Sequence, residues 1–567
     1  MRRIFLSIVA VLAGLTAMAQ DVKNHNLEVA KNLEIFNALY KNLDLMYVDT
    51  LDANKVITKG IDAMLSSLDR YTEYYPEERQ KELKTMLTGK YAGIGALIRY
   101  HQRLKRVVID EPYEGMPAAE VGLRKGDIIL QIDDTVMTDK MTPYVSSHLR
   151  GEPGTTFMLK IERPSTGKKM DFKITRRAIK MPEITWYGML DEGMVGQGSQ
   201  GSQGSKIGYI CLNTFTGEPS KPMRLAFLDL KRQGAEKLVL DLRGNGGGSL
   251  SECVDILNMW VPKGVRIVET KGKLKRANNE YLTRMEPVDT VMPIVVLVNG
   301  ETASASEITS GALQDLDRAV ILGTRTYGKG LVQLPIDLPY NTQMKLTTSH
   351  YYIPSGRCIQ AINYKHGNGG SVEHIPDSLT KVFHTLHGRE VRDGGGIKPD
   401  VECKPDSLPN IIYYLSASGQ DSTEVMFNWV TNYISTHETI GPAATFDITD
   451  AEYEDFKKKV VESGFKYDPE SDKVMETLKK VMQFEGYYDE AKEEFERLQK
   501  KLTHDPGHDL DLHKDLVKQV LASEIVAAYY YQKGVIQNTI RSDKQIKEAY
   551  RLLLDNEEYR RILSPKQ

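Results

Sequence analysis

Three short segments carry residues whose types and spacing suit attack on a carbonyl group. In Val298-Asn-Gly-Glu-Thr-Ala-Ser-Ala-Ser-Glu-Ile308 an apolar run ends at Asn299-Gly300, small residues follow, and a helical pattern opens with Ile308, Ala312 and Leu313. Ser304 therefore sits at a strand-to-helix junction, where a side chain is exposed and unpaired helix N–H groups point at it. Ser304-x-x-Glu307 also fits a capping box, so alone it marks only a helix start. The second segment, Leu238–Gly248, ends in Arg243-Gly-Asn-Gly-Gly-Gly248, a glycine-rich loop whose N–H groups suit a phosphate or a developing oxyanion. Neither G-x-G-x-x-G nor G-x-x-x-x-G-K-[ST] is satisfied there, which disfavours phosphate. The third, Gly323–Leu331, places Lys329 between Gly328 and Gly330. A lysine at such a turn normally serves solubility, but one walled into apolar surroundings loses its charge and can take a proton from a serine.

Around these segments the pattern predicts an α/β core. Lys237–Leu242 and Pro293–Val298 are continuous apolar runs of the kind found in strands covered on both faces, and helical patterns alternate with them over residues 179–403. Residues 89–178 read differently, as short alternating runs (Arg106–Asp110, Asp127–Asp133, Thr156–Glu162) with one helical stretch near Pro143–Leu149, a compact β-rich domain. Residues 20–88 and 404–567 read as helical, the latter with charged amphipathic stretches such as Glu476–Phe484 and Glu490–Leu502 that suit either a solvated appendage or a gripping or dimerising arm. The repeat Gly198–Ser205 reads as a flexible loop.

In order along the chain, Leu238–Gly248, Val298–Ile308 and Gly323–Gln333 resemble the three signatures of the carboxyl-terminal processing, or tail-specific, proteases, the S41 serine peptidases. Lys329 lies 25 residues after Ser304 and Gln333 four further on, matching that family's spacing. Lys345–Arg357 and Gly394–Asp400 also match. The resemblance implies a crotonase-like α/β protease core with Ser304 as nucleophile, Lys329 as general base and Gln333 orienting the amine; Ser306, in the same Ser-Ala-Ser, is the competing hydroxyl. It further implies an oxyanion hole from backbone N–H groups of Ala305 and of Gly247 or Gly248. Lysine then does the work of the histidine in a Ser-His-Asp triad. The β-rich region is similar to a PDZ domain, in which Ala92, Gly93, Ile94 and Gly95 would take a peptide's terminal carboxylate while the chain end adds as a strand. The function implied is an exported endopeptidase that reads the carboxyl-terminal tails of other exported proteins and cuts them through an acyl-enzyme. A catalytically dead PDZ scaffold gripping tails is the alternative, and the presence of both Ser304 and Lys329 opposes it.

Composition bounds the rest. With 567 residues the chain has room for several domains, and 74 Lys+Arg against 77 Asp+Glu leave no overall field to hold nucleic acid. Arg2-Arg3, the apolar run Ile4–Leu15 and Ala17-Met18-Ala19 form a secretory signal over residues 1–19, which predicts a periplasmic protein, with membrane association left open. Cys211, Cys253, Cys358 and Cys403 make no C-x-x-C, and His366, His374, His384 and His387 have no ligand spacing, so neither a metal nor a cofactor is expected. Protein substrates are the expected partners; a homodimer and a lipoprotein adaptor are left open.

Overall fold

The computed structural model describes residues 25–565 except 89, 165, 191, 196–205, 362–375, 417–422, 468–469 and 503–504. The signal segment and the Gly198–Ser205 repeat lie outside the described residues, as do His366 and His374. The chain forms two compact units. In the smaller, helices over 25–46 and Ala53–Ser66 lead to strand Glu73–Tyr75, which pairs antiparallel with Gln343–Lys345. The sequence reading took this stretch as wholly helical; the three-residue strand is too short to show a period of two.

In the larger unit, a six-stranded sheet runs in the order Ile184–Leu190, Ile207–Leu212, Lys237–Asp241, Ile294–Val298, Val320–Gly323, Val401–Glu402, parallel except for the first pair. Side chains alternate across it. Leu238, Leu240, Ile294, Val296 and Val298 point to one face, packed with Phe227, Cys253, Ile256, Ile308 and Ala312 of three helices. Val239, Val295, Leu297, Val320 and Leu322 point to the other, packed with Ile546, Ala549, Tyr550, Leu552 and Tyr559. The last helices are therefore structural parts of this six-stranded sheet, which corrects the expectation of a solvated appendage for this stretch. Helix Lys544–Leu554 turns its apolar side to the strands, and Tyr559 exchanges hydrogen bonds with the N–H and C=O of Ile294 (2.9 and 3.0 Å).

A second sheet, in the order Ala96–His101, Arg106–Pro112, Ile128–Ile132, Thr156–Arg163, Lys168–Thr175, carries helix Thr142–Leu149 against its inner face. Ala96–His101 lies at one edge of this sheet, the position to which an added strand would pair.

Helix Ala305–Asp315, which carries the candidate nucleophile at its start, is buried along its whole length. Its far end is pinned by a buried pair, Asp315 with Arg357 at 2.8 Å, while Arg357 also reaches Gln314 Oε1. Arg357→Met would strand the Asp315 charge in the core, so we expect the unfolding free energy in urea to fall by about 3–5 kcal/mol; a midpoint equal to the wild type's would contradict that role.

Candidate active site

Ser304 follows strand Ile294–Val298 and caps helix Ala305–Asp315 with φ +57° and ψ −117°. Few residues adopt that conformation unless their surroundings hold them in it. Here the holder is Glu307. Its carboxylate is fully buried and accepts four hydrogen bonds, on Oε1 from Thr326 Oγ1 (2.5 Å) and Gly328 N–H (2.7 Å), on Oε2 from Lys329 N–H (2.9 Å) and Ser304 N–H (2.9 Å). One side chain thus ties the backbone at Ser304 to the backbone at Lys329. Burial pushes its carboxyl up to about 7, against the opposite pull of those four donors. The Tyr351 hydroxyl makes a second tie, donating to the carbonyl of Lys329 and lying 3.4 Å from that of Ser304. Ser304 and Lys329 are both half-buried. Gln333 sits on strand Leu331–Leu338, its Nε2 donating to Thr347 Oγ1 at 3.2 Å.

Ser306 is fully buried and its hydroxyl donates to the Asn245 carbonyl (2.9 Å), which also takes the Ala303 N–H. That bond holds the glycine loop to the helix and commits the hydroxyl to it.

The glycine loop lies directly on the junction. A Cβ added at Gly247, where φ is +95°, would come within 2.8 Å of Ser304 Cβ and Ala305 N. Gly247's own N–H is taken by Asn245 Oδ1 (2.9 Å), and its carbonyl accepts from Phe215 N–H (2.9 Å). Because the trans peptide sets C=O and the next N–H in opposite directions, the Gly248 N–H points away from Phe215, and Gly248 is exposed. The same reasoning applies at Ser304, whose carbonyl accepts from Ile308 N–H, so the Ala305 N–H faces out of the helix start. Gly248 and Ala305 thus supply outward donors beside Ser304, and Gly247 supplies the close approach.

The turn holding Lys329 requires glycine as well. A Cβ at Gly328 (φ +88°) would meet Ala361 Cβ at 2.2 Å, and one at Gly396 would meet the Thr326 carbonyl at 2.6 Å, which assigns the Gly394–Asp400 motif to bracing this turn.

In the β-rich domain Gly93 is part of strand Lys90–Gly93, paired with Arg177, whereas Gly95 has φ +69°. Ala92 and Gly93 thus lie in a paired strand, and of the loop's two glycines only Gly95 turns left-handed. The Ile94 and Gly95 carbonyls point inward, to Ala118 N–H (2.8 Å) and Tyr113 N–H (2.9 Å), so the N–H groups of Gly95 and Ala96 point away from that helix start. A Cβ at Gly95 would strike Met116 Cβ at 2.5 Å. Gly95→Val is therefore expected to lower this domain's stability, measurable as early loss of amide protection in hydrogen exchange over residues 94–118, rather than to block a ligand alone; unchanged protection there would contradict the packing argument.

Glu307, Tyr351 and Asn245 are the site residues that motif reading passed over. The Ser-x-x-Glu spacing exposed Glu307 only as a cap; the signal of more was its place in a first turn otherwise made of small and apolar residues.

A family model described as peptidase family S41 matches residues 206–366, one described as PDZ domain matches 108–163, and one described as probable PDZ-protease, C-terminal helical domain, matches 411–553. The carboxy-terminal-processing protease of Bartonella bacilliformis is 34% identical over 363 residues, covering 63% of this chain and 80% of the relative. A probable CtpA-like serine protease of Staphylococcus aureus is 30% identical over 376 residues, covering 65% and 70%. Among solved structures, the photosystem II D1 C-terminal processing protease is 27% identical, covering 66% of this chain and 94% of its own, with a TM-score of 0.37. The chain belongs to peptidase family S41, as a serine peptidase of the carboxy-terminal-processing class with a PDZ domain and a C-terminal helical domain.

Proposed function

We propose that the protein is exported and, outside the cytoplasm, cleaves other proteins from a recognised carboxyl-terminal tail, through a Ser304–Lys329 dyad and an acyl-enzyme. The observation that carries this reading is the double tie, Glu307 and Tyr351, that fixes the backbones of Ser304 and Lys329 to each other. A serine and a lysine with separate structural duties need no shared clamp.

In the reaction, the neutral Lys329 amine takes the hydroxyl proton as Ser304 Oγ attacks the scissile carbonyl carbon. The negative oxygen of the tetrahedral adduct is received by the N–H groups of Gly248 and Ala305. Collapse breaks the C–N bond, Lys329 returns the proton to the leaving amine, and water, deprotonated by the same lysine, hydrolyses the ester. Gln333, anchored through Thr347, offers its amide oxygen to orient the lysine. The substrate's terminal carboxylate is received by the outward N–H groups of Gly95 and Ala96, with its last residues added as a strand along the edge at Ala96–His101. Export rests on the signal segment at residues 1–19.

Mixing the enzyme with a slowly deacylating peptide ester should give a burst of alcohol stoichiometric with enzyme, and mass spectrometry should place the acyl group on Ser304. An acyl group on any other residue, or no burst with a fully active preparation, would overturn the dyad. Lys329→Arg should be inactive, because a guanidinium stays protonated throughout the working range.

A further inference from the structure

The two faces of the PDZ sheet differ in what covers them. Val107 and Ile109 point to the inner face, with helix Thr142–Leu149 and the edge strand beside it; Val108 points to the outer face and is fully buried there too. A small antiparallel domain normally leaves that second face to solvent. Here its part around Val108, Ile128 and Leu130 is covered by the helical region after residue 410, while Met158 further across the same face stays exposed. Phe427 of helix Val425–Thr436 packs on Val108, Ile128 and Leu130, with the Arg99 guanidinium 3.9 Å over its ring. Glu424, held in the left-handed region at φ +48°, accepts the Gln102 N–H (2.7 Å) and lies 3.1 Å from His101 Nε2. A Cβ at Gly126 would come within 2.4 Å of Thr431. The buried Lys125 ammonium bridges Asp110 of the PDZ domain and Glu524 of the helical stretch Lys514–Thr539, at 2.8 Å each, and Gln532, just past the kink that this stretch makes at Tyr531 (φ +57°), donates to Glu111 (2.6 Å).

That helix leads directly to the segment that closes the protease sheet. Ile536 and Ile540 already belong to the protease-side cluster, and Asp543 and Gln545 hold Arg243 at 2.7 and 2.9 Å. Arg243 opens the glycine loop that supplies the outward donor beside Ser304. One continuous piece of chain is thus bolted to the back of the tail-reading domain and to the loop at the reacting carbon.

We propose that the C-terminal helical region is a strut fixing the tail-binding groove at a set distance from Ser304, with Phe427, Glu424 and Lys125 as positioning residues for tail-dependent cleavage. The proposal rests on the PDZ groove reading tails. A tail held in a fixed groove presents its cleavage site to Ser304 at high effective concentration, whereas a groove free to swing dilutes it. Arg99 and His101 belong to the groove strand, but they meet the strut through their side chains on the face opposite helix Thr142–Leu149, so Phe427→Ala, which removes a ring from that face, is expected to leave tail affinity and the reacting site intact.

The test compares the full-length enzyme with Phe427→Ala and, should that variant fold poorly, with Glu524→Gln, a change at the strut's half-exposed surface. One substrate protein is supplied with a free or an amidated carboxyl terminus, and a short peptide ester reports on the reacting site. For the variants we expect kcat/KM on the free-acid substrate to fall about tenfold through KM, the acid-to-amide rate ratio to move toward one, and ester turnover and tail-peptide Kd to stay within about twofold. Hydrogen exchange should show faster exchange over residues 106–112 and 425–431. An unchanged acid-to-amide ratio with those segments opened overturns the strut, and so does a tail-peptide Kd weakened as much as cleavage. A ratio of one in the wild type refutes the tail-reading role itself, and the strut with it.

Discussion

On the proposed dyad, Ser304→Ala is expected to lower kcat/KM for a peptide ester by at least about 10⁴-fold, since a nucleophile and its base act as a unit whose loss leaves only oxyanion stabilisation and binding. The fold should be kept. Alanine adopts the same φ no worse than serine, and Glu307 still grips the residue's N–H. The informative control is two residues on. Ser306 gives its hydroxyl to the Asn245 carbonyl from a fully buried position, so Ser306→Ala should cost about 1 kcal/mol of stability and leave measurable turnover. The reverse pattern, an inert Ser306→Ala and an active Ser304→Ala, would move the nucleophile to the other hydroxyl.

Glu307→Gln should also be damaging, though less so, and the side chain touches no substrate. The carboxylate is surrounded by four donors, and an amide presents one oxygen and one NH2 to them, so the N–H groups of either Ser304 and Lys329 or Gly328 and the Thr326 hydroxyl meet a donor. A sub-ångström shift of the reacting atoms of that kind costs about 10²-fold in kcat. The pH profile supplies a second reading. With its carboxyl pushed up to about 7 by burial, Glu307 gains its full set of acceptors only as pH rises through that value, so wild-type kcat/KM should climb there. No histidine is needed for such an inflection, and the glutamine variant should lack it. Stability runs the other way. The folded-state value lies above the ordinary glutamate value of 4.5, so the native state holds more protons than the unfolded one between the two, and this group's contribution is complete below 4.5 and lost as pH rises through about 7. Urea unfolding of wild type and variant on both sides of that window should show the component in the wild type alone. An inflection that survives in the variant would assign it elsewhere.

The local chemistry of this protein was largely present in its sequence. Apolar runs such as Ile294-Val-Val-Leu-Val298 can only be strands buried on both faces, and a strand that ends in Asn-Gly before small residues and a helix has few other shapes than the junction that Ser304 occupies. The 25-residue spacing to Lys329 pointed to the same chemistry only through its resemblance to the S41 signatures, while the close backbone approach that keeps Gly247 and Gly328 free of side chains appears only in the fold. What remained undecided were questions of direction and partnership, which depend on residues far apart in the chain. The spacing to Lys329 favoured Ser304 over Ser306 through the family resemblance; what it could not give is the environment of Ser306, whose hydroxyl is committed to the Asn245 carbonyl by a contact across 61 positions. Nor could it say which glycine N–H is spent within the loop and which faces outward, since that is set by the direction of each peptide plane. The helical end of the chain was the least legible part. Charged amphipathic helices look alike in sequence whether they face water or a sheet, and only the tertiary structure shows that Phe427 and Lys125 join the PDZ domain to it while Tyr550 and Tyr559 close the protease core.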